Sequence, residues 1–469
     1  MKERVFTYIV ILLFFATALI PVVVGKTVHN ESIFSNFKSY SKNANADSYD
    51  MVIIAPSSYE SSLSSFISHK NDLGIKTIFV SLNEIYSGTY FDTVGRDDPE
   101  KIKYFIKDAI ESWQIIYVLF VGSFNQVPIR YCYNNDEYND KEPKFVSELY
   151  YADIYDENDD FSTWDSDEDG IFGEWDGNIA EDKPIDLTPD VCLGRLACTD
   201  SSEVSIVTSK IMNYANRPAN PSWFKRIVVC GGDTYDEFEG YEGEIYNQEA
   251  IDAMPGFTAI KLWGSNGKLK NGWSIYREIN KGCGFWYLSG HGNEELWATY
   301  DSDGNSIGKF TSLHSLFLRN KEKLPVCLVG GCHNSKFAIP SFVKFNFVWN
   351  PFKWTKECWS WRLVSKPNGG SIATLGPTGL SWYSAEFDGG GTNWLNVQFF
   401  KEYSTGTKAI GKIWKDALTK YIDNFPIDWE TPSGDNHSLN AKTIQEWTLL
   451  GDPSLTIGGN PNSDKQEIL

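Results

Sequence analysis

Cysteine is scarce in this chain: eight residues in 469, too few to staple a protein of this size in the way small disulfide-built domains are stapled. No Cys-x-x-Cys or His-x-x-x-His spacing accompanies them, which sets aside a structural zinc site. Basic charge is also in deficit. With 42 Lys and Arg against 62 Asp and Glu, the net charge of −20 excludes the phosphate backbone of nucleic acid as a partner. After the first 25 residues no apolar run reaches the length needed to cross a bilayer, and no self-similarity at solenoid periods is present.

What is present begins at the N-terminus. A charged start, "MKER", precedes the uncharged "VFTYIVILLFFATALIPVVVG", and Val23 and Gly25 are small residues suited to cleavage before Lys26. Residues 1–25 therefore read as a signal peptide or, if retained, an N-terminal anchor. Everything after them is expected outside the cytoplasm, secreted or held at the cell surface by that segment. A linker follows over 26–48, then two α/β parts over 49–216 and 222–458, and a tail over 459–469. The boundary falls in "NRPANPSW", where two prolines precede the next strand. The acidity is local. Tyr131 to Asp190 holds 20 Asp and Glu against 3 Lys, leaving about −3 for the rest of the chain, so an acidic insertion over 131–190 is expected to attract cations.

Short apolar strands alternate with amphipathic stretches. "MVIIAP", "KTIFVSL" and "IIYVLFVG" enclose "YESSLSSFISHKNDLG" and "PEKIKYFIKDAIESW", a βαβαβ pattern whose strands are apolar on both faces. The second part repeats it with "RIVVCGGD", "GFTAIKLWG", "GFWYLSGHG", "LPVCLVGGC" and "GGSIATLGP". The expected class is α/β, with two doubly wound, mostly parallel sheets, the second carrying the chemistry.

In open parallel sheets, chemistry collects beyond the carboxyl ends of the strands. Three runs end there in titratable groups: Asp233, His291 and Cys332. His291 and Cys332 are 41 residues apart, about one strand–helix–strand crossover, so neighbouring strands would present them together. An imidazole beside a thiol promotes its ionisation and later protonates a leaving amine. Gly290, Gly292, Gly330 and Gly331 would let backbone N–H groups approach a substrate carbonyl, and Asp233 would accept the second ring N–H. Cys230, Cys283 and Cys327 read as small core hydrophobes. His333, adjacent to Cys332 on an extended chain, points away and reads as a loop histidine.

At these residues the sequence resembles the gingipain family of cysteine peptidases, in the clan with the caspase and legumain fold. The resemblance rests on "YVLFVGSFNQVPIR", "PDVCLGRL", "YLSGHGNEELWAT", "LPVCLVGGCHNSKF", "GGSIATLGPTGLSWY" and "LLGDPSLTI", in family order from about Met51 to Ile457. It implies Cys332 as nucleophile, His291 as its base, Asp233 as the group orienting the imidazole, and the N–H groups of Gly292 and Cys332 as oxyanion hole. The carboxylate that selects a basic P1 side chain falls on Glu244, with Glu242 and Glu249 as competitors. The chain departs from familiar members in the short segment before its first strand and in having no adhesin or sorting domain after Ile457.

"DSDEDGIFGEWD", Asp165 to Asp176, fits an EF-hand-like loop. Asp165, Asp167, Asp169 and Asp176 would supply side-chain oxygens and Phe172 its carbonyl to a structural Ca²⁺; no organic cofactor is expected. Four Trp between Phe347 and Arg362, and Trp382 beyond, are core fillers or cleft walls. The reading that results is an exported cysteine endopeptidase acting on polypeptides. A transpeptidase on the same dyad and a calcium-stabilised surface protein with a relic fold are its rivals.

Overall fold

The computed structural model describes residues 48–137, 142–235, 240–339, 357–383 and 389–460. The N-terminal apolar segment, the linker, the tail after Asn460, and Trp349 and Trp354 lie outside the described residues. Strands β1 (Met51–Ala55), β2 (Thr77–Ser81) and β3 (Tyr117–Val121) pair in parallel with β1 in the middle. Every residue of β1 is buried, as a strand apolar on both faces requires. The helix Asp98–Trp113 between β2 and β3 starts where the Asp97 carboxylate accepts the Glu100 N–H, with Pro99 in its first turn.

The acidic insertion contributes an antiparallel pair, β4 (Arg130–Tyr133) and β5 (Lys144–Ser147), before β6 (Cys192–Leu196) joins β3. The second part supplies β7 (Arg226–Gly231), β8 (Thr258–Trp263) and β9 (Phe285–Ser289). A small antiparallel sheet follows, built of β10 (His291–Gly292), β11 (Leu296–Tyr300) and β12 (Ser306–Thr311). The chain then forms β13 (Val326–Gly330), β14 (Ala373–Pro377) and, last, β15 (Trp447–Leu450).

The α/β class is the expected one, but the two expected sheets are halves of a single ten-stranded sheet, ordered β2-β1-β3-β6-β15-β14-β13-β9-β7-β8. The join is β15, which runs antiparallel to β14 over four residue pairs and meets β6 only at Leu450 and Arg195. Reading the strands in chain order cannot reveal this, because the last strand inserts between the halves. The approach is tight. A Cβ on Gly194 would sit 2.5 Å from the Gly451 carbonyl, and one on Gly451 would sit 2.6 Å from the Ala373 Cβ, so the seam is closed by residues without side chains. Beside it the buried Arg195 holds Glu148 through two hydrogen bonds of 2.8 and 2.9 Å and donates a third, of 2.9 Å, to the Gly122 carbonyl.

Candidate active site

Within the right-hand half, β9 lies between β13 and β7. Parallel pairing aligns Ser289 with Gly330, so His291 and Cys332 each stand two residues beyond the same rung of adjacent strands. Neighbouring strands are about 4.8 Å apart, and both residues line one small cleft together with Thr234, Tyr235, Ser381, Trp382 and Tyr383. The glycines let the two loops touch: a Cβ on Gly331 would come within 2.9 Å of the Gly292 nitrogen. Asn334 then ties them, its Nδ2 donating to the carbonyls of Asn293 at 2.6 Å and Leu296 at 2.9 Å. It was legible in "GGCHN" only as a polar residue after the cysteine.

All eight cysteines are free thiols, seven of them buried and Cys332 half-buried. Cys332 faces the Ser381 carbonyl at 3.7 Å. Burial pushes its thiol up to about 11, opposed by that contact and reinforced by the nearby carboxyl of Glu446. Cys132, Cys192, Cys283 and Cys358, fully enclosed, are pushed to about 12.

The imidazole of His291 is held at Nε2, 2.6 Å from the Thr234 carbonyl. A carbonyl only accepts, so Nε2 carries the proton and Nδ1 of the neutral ring keeps its lone pair. Tyr235 and Tyr300 flank the ring at 5.3 and 5.6 Å between centroids. Burial lowers the His291 pKa below its ordinary value, with the Thr234 contact acting the other way. The resting pair is thus a neutral thiol beside a neutral imidazole, rather than the thiolate favoured by the sequence argument.

The Thr234 carbonyl holds the His291 ring, and Asp233, to which the sequence pointed, precedes it in the chain. Asp233 stands next to it and exchanges backbone hydrogen bonds with Tyr300. Glu242 supports the arrangement from behind, its Oε2 accepting the Thr234 N–H at 2.9 Å. Glu244 stands two residues further along the same helix. Both its oxygens are engaged by Ser265, through the N–H at 2.9 Å and through the hydroxyl, and it does not line the cleft among the described residues. His333, in a left-handed conformation at φ 58°, is turned to Glu142, which Lys336 also binds. Those two partners hold the Glu142 carboxyl down at about 2 against the opposing effect of burial. Trp382 lines the cleft and donates to Asp136 at 3.3 Å, whereas Trp359 and Trp361 are core residues.

The acidic loop differs from the expected ligand set. Asp165, Asp167 and Asp182 bring oxygens within 4.8 Å of one another. The Phe172 carbonyl instead accepts the Tyr133 N–H at 3.0 Å, Asp176 accepts from Asn135 at 2.7 Å, and Asp169 caps the Ile171 N–H. The loop is tied to the neighbouring strand, where the Trp175 N–H donates to the Tyr133 carbonyl and the Trp175 carbonyl accepts the Asn135 N–H, both at 2.9 Å, and Arg96 grips Asp165 at 2.7 Å. Asp182, 17 residues beyond the start of the motif, was outside any spacing rule. Burial and neighbouring carboxylates push Asp182 up to about 6, against two backbone N–H donors, and Glu174 up to about 7.

The family model for peptidase family C25 matches residues 44–458. The chain belongs to peptidase family C25. Among C25-related proteins it is 20% identical over 439 residues to gingipain R2 of Porphyromonas gingivalis strain W83, covering 91% of this chain and 48% of that protein. To gingipain R1 of Porphyromonas gingivalis it is 20% identical over 419 residues, covering 87% and 34%. The C25 chain thus spans about half, or less, of the length of these relatives. The crystal structure of the Arg-specific cysteine proteinase gingipain R superposes with a TM-score of 0.60 at 17% identity, over 90% of this chain and 80% of that one. The complex of Porphyromonas gingivalis RgpB pro- and mature domains gives 0.59 at 17%, over 87% and 79%. At this identity the likeness establishes the shared α/β fold.

Proposed function

We propose that this C25 protein is an exported cysteine endopeptidase in which Cys332 and His291 form the catalytic dyad. One observation carries the reading: the single half-buried thiol and an imidazole with its lone pair at Nδ1 stand beyond the same rung of adjacent strands and line one cleft. In the mechanism, Nδ1 takes the thiol proton as sulfur attacks the peptide carbonyl, and the imidazolium gives it to the departing amine. Water, deprotonated by the same nitrogen, then releases the acyl group. The backbone N–H groups of Gly292 and Cys332 are the donors for the oxyanion. Asp233 is proposed as the acidic residue that orients the imidazole, beside the Thr234 carbonyl.

Cys332→Ala is expected to lower hydrolysis of Arg- and Lys-containing peptides by at least about a thousandfold; activity at the unsubstituted level would remove Cys332 as nucleophile. A basic P1 preference is proposed from the Arg-specific relative, with Glu244 as the selecting carboxylate and Glu242 of the same helix as its competitor. Glu244→Gln should then narrow the gap between Arg and uncharged P1 residues; a narrowing on Glu242→Gln alone would move the role to Glu242.

A structural calcium ion is proposed at Asp165, Asp167 and Asp182. The chemistry of the donor set fits: hard oxygens in close array, crowded enough to keep protons on Asp182 and Glu174 near neutrality in the absence of a counterion. Export is proposed from residues 1–25. No helix among the described residues is long and apolar enough to cross a membrane.

A further inference from the structure

Two short helices, Gly272–Ile279 and Ser312–Phe317, pack together on the outside of the second half. Large apolar side chains face solvent from both: Trp273 is 43% exposed, Leu313 58%, Leu316 49% and Phe317 46%. They form one patch, since the Trp273 ring lies 5.7 Å from Phe317 and 4.8 Å from His314. Solvent-facing Trp, Phe and Leu gathered in this way mark a contact surface rather than scattered surface residues.

The charge around the patch is opposite to that of the molecule. Segments 268–281 and 309–323 hold eight Lys and Arg against two acids, Glu278 and Glu322, in a chain of net charge −20. Glu278 is neutralised by Arg226 and Lys281. The rim is built against the patch itself: Arg319 and Lys366 both donate to the Leu316 carbonyl, at 2.8 and 2.9 Å. From there Lys321, Lys323 and Arg217 continue the basic surface along a groove.

From this juxtaposition we propose that the Trp273–Leu313–Leu316–Phe317 patch with its Lys/Arg rim is a docking surface for an anionic lipid bilayer. An apolar tip of Trp, Phe and Leu ringed by Lys and Arg suits the interfacial zone of a membrane: the rings enter the headgroup boundary while the cations meet lipid phosphates. The basic rim is what such a role needs, because an acidic surface such as that of 131–190 would be repelled. The rim lies near Lys323 and Lys366, which precede β13 and β14, whereas His291 and Cys332 follow the ends of β9 and β13. A strand of five residues spans roughly 16 Å, so the rim stands about that far from the strand ends that carry His291 and Cys332.

The test uses the chain from Lys26 onward, which retains the whole folded unit Asn45–Leu469 and removes the apolar N-terminus as a second source of lipid binding. Co-sedimentation with phosphatidylcholine vesicles, with and without phosphatidylglycerol, should show binding that requires the anionic lipid and is released by salt. Lys321→Ala/Lys323→Ala should weaken it about 25-fold, at about fivefold per cation, and Leu316→Ser/Phe317→Ser at least as much, while Val94→Ser, an exposed apolar residue elsewhere, should leave it unchanged. Circular dichroism confirms that each variant is folded. Failure to bind, equal binding to pure phosphatidylcholine, or binding indifferent to both double substitutions overturns the proposal. A dimer in solution that depends on Leu316 and Phe317, without vesicle binding, overturns it in favour of a protein interface.

Discussion

A thiol and an imidazole that are both neutral at rest divide their work differently from a preformed ion pair. Burial disfavours charge on either, which raises Cys332 to about 11 and lowers His291, so in the proposed mechanism the proton would move as the sulfur attacks a substrate carbonyl. The pH dependence follows in sign. His291 must be neutral to act as base, and its pKa is lowered, so the acid limb of kcat/KM is expected below the ordinary histidine value of about 6.5. Any alkaline limb due to Cys332 should come only near its raised value; an acid limb above that of free histidine would contradict the neutral pair. Glu446, fully buried near Cys332 with Ser381 and Lys442 around it, is a separate case. Burial raises its carboxyl from 4.5 to about 8, so the native state keeps a proton that the unfolded chain releases across that interval. Stability from this group is therefore lost as pH rises from about 5 to 8. Glu446→Gln should flatten that part of the profile, seen as a smaller difference in urea midpoint between pH 5 and pH 8 than in the unsubstituted protein.

At the scale of elements, the strands and the residues at their ends were legible for one physical reason. Runs such as "YVLFVG" and "LPVCLVGGC" are apolar on both faces and end in glycine, so pattern alone locates β3 and β13 and puts Cys332 at a carboxyl edge. Thr234 was invisible because it acts through its backbone carbonyl, which any residue would supply, and Asn334 because its partners are carbonyls of a loop some 40 residues away. The acidic loop was legible in part, Asp165 and Asp167 lying together as its spacing implies. Its spacing matched an EF-hand, but ligand identity depends on which carboxylates the surrounding fold leaves near one another, and Asp182 is brought in by the N–H groups of Ser166 and Glu174. The two ligand sets predict different outcomes. Calcium should raise the melting temperature and protect the 165–182 region from proteolysis, with a gain of about 2.7 kcal/mol at a hundredfold excess over Kd. Asp182→Asn should abolish that response and Asp176→Asn should preserve it; the reverse result would restore the loop read from the sequence.

At the scale of the molecule, the catalytic half does not stand alone, because its sheet is continued by a strand from the chain's end into the first half. The contact between β15 and β6 is a single residue pair, too little ladder to hold the halves without help. Arg195 adds to it on the β6 side: fully buried and fixed within the first half by Glu148 and the Gly122 carbonyl, it reaches across through its carbonyl, which accepts the Gly451 N–H at 3.0 Å, and through the Phe337 ring 5.0 Å from its guanidinium. From the β15 side, Asp452 forms a buried pair with Lys70 of the helix Glu60–Asp72. Removing one member of a buried pair strands the other charge, a loss of about 3–5 kcal/mol. Arg195→Ala should therefore lower the unfolding free energy by that order in a urea titration, and Arg195→Met/Glu148→Leu should recover most of it, since an apolar pair leaves no charge behind. If the seam makes the halves one cooperative unit, Arg195→Ala will also split a single unfolding transition into two, with the Cys332 half losing thiol protection separately from the half built on β1. One transition, merely shifted, would mean that β15 and its glycine contacts hold the sheet together without the arginine.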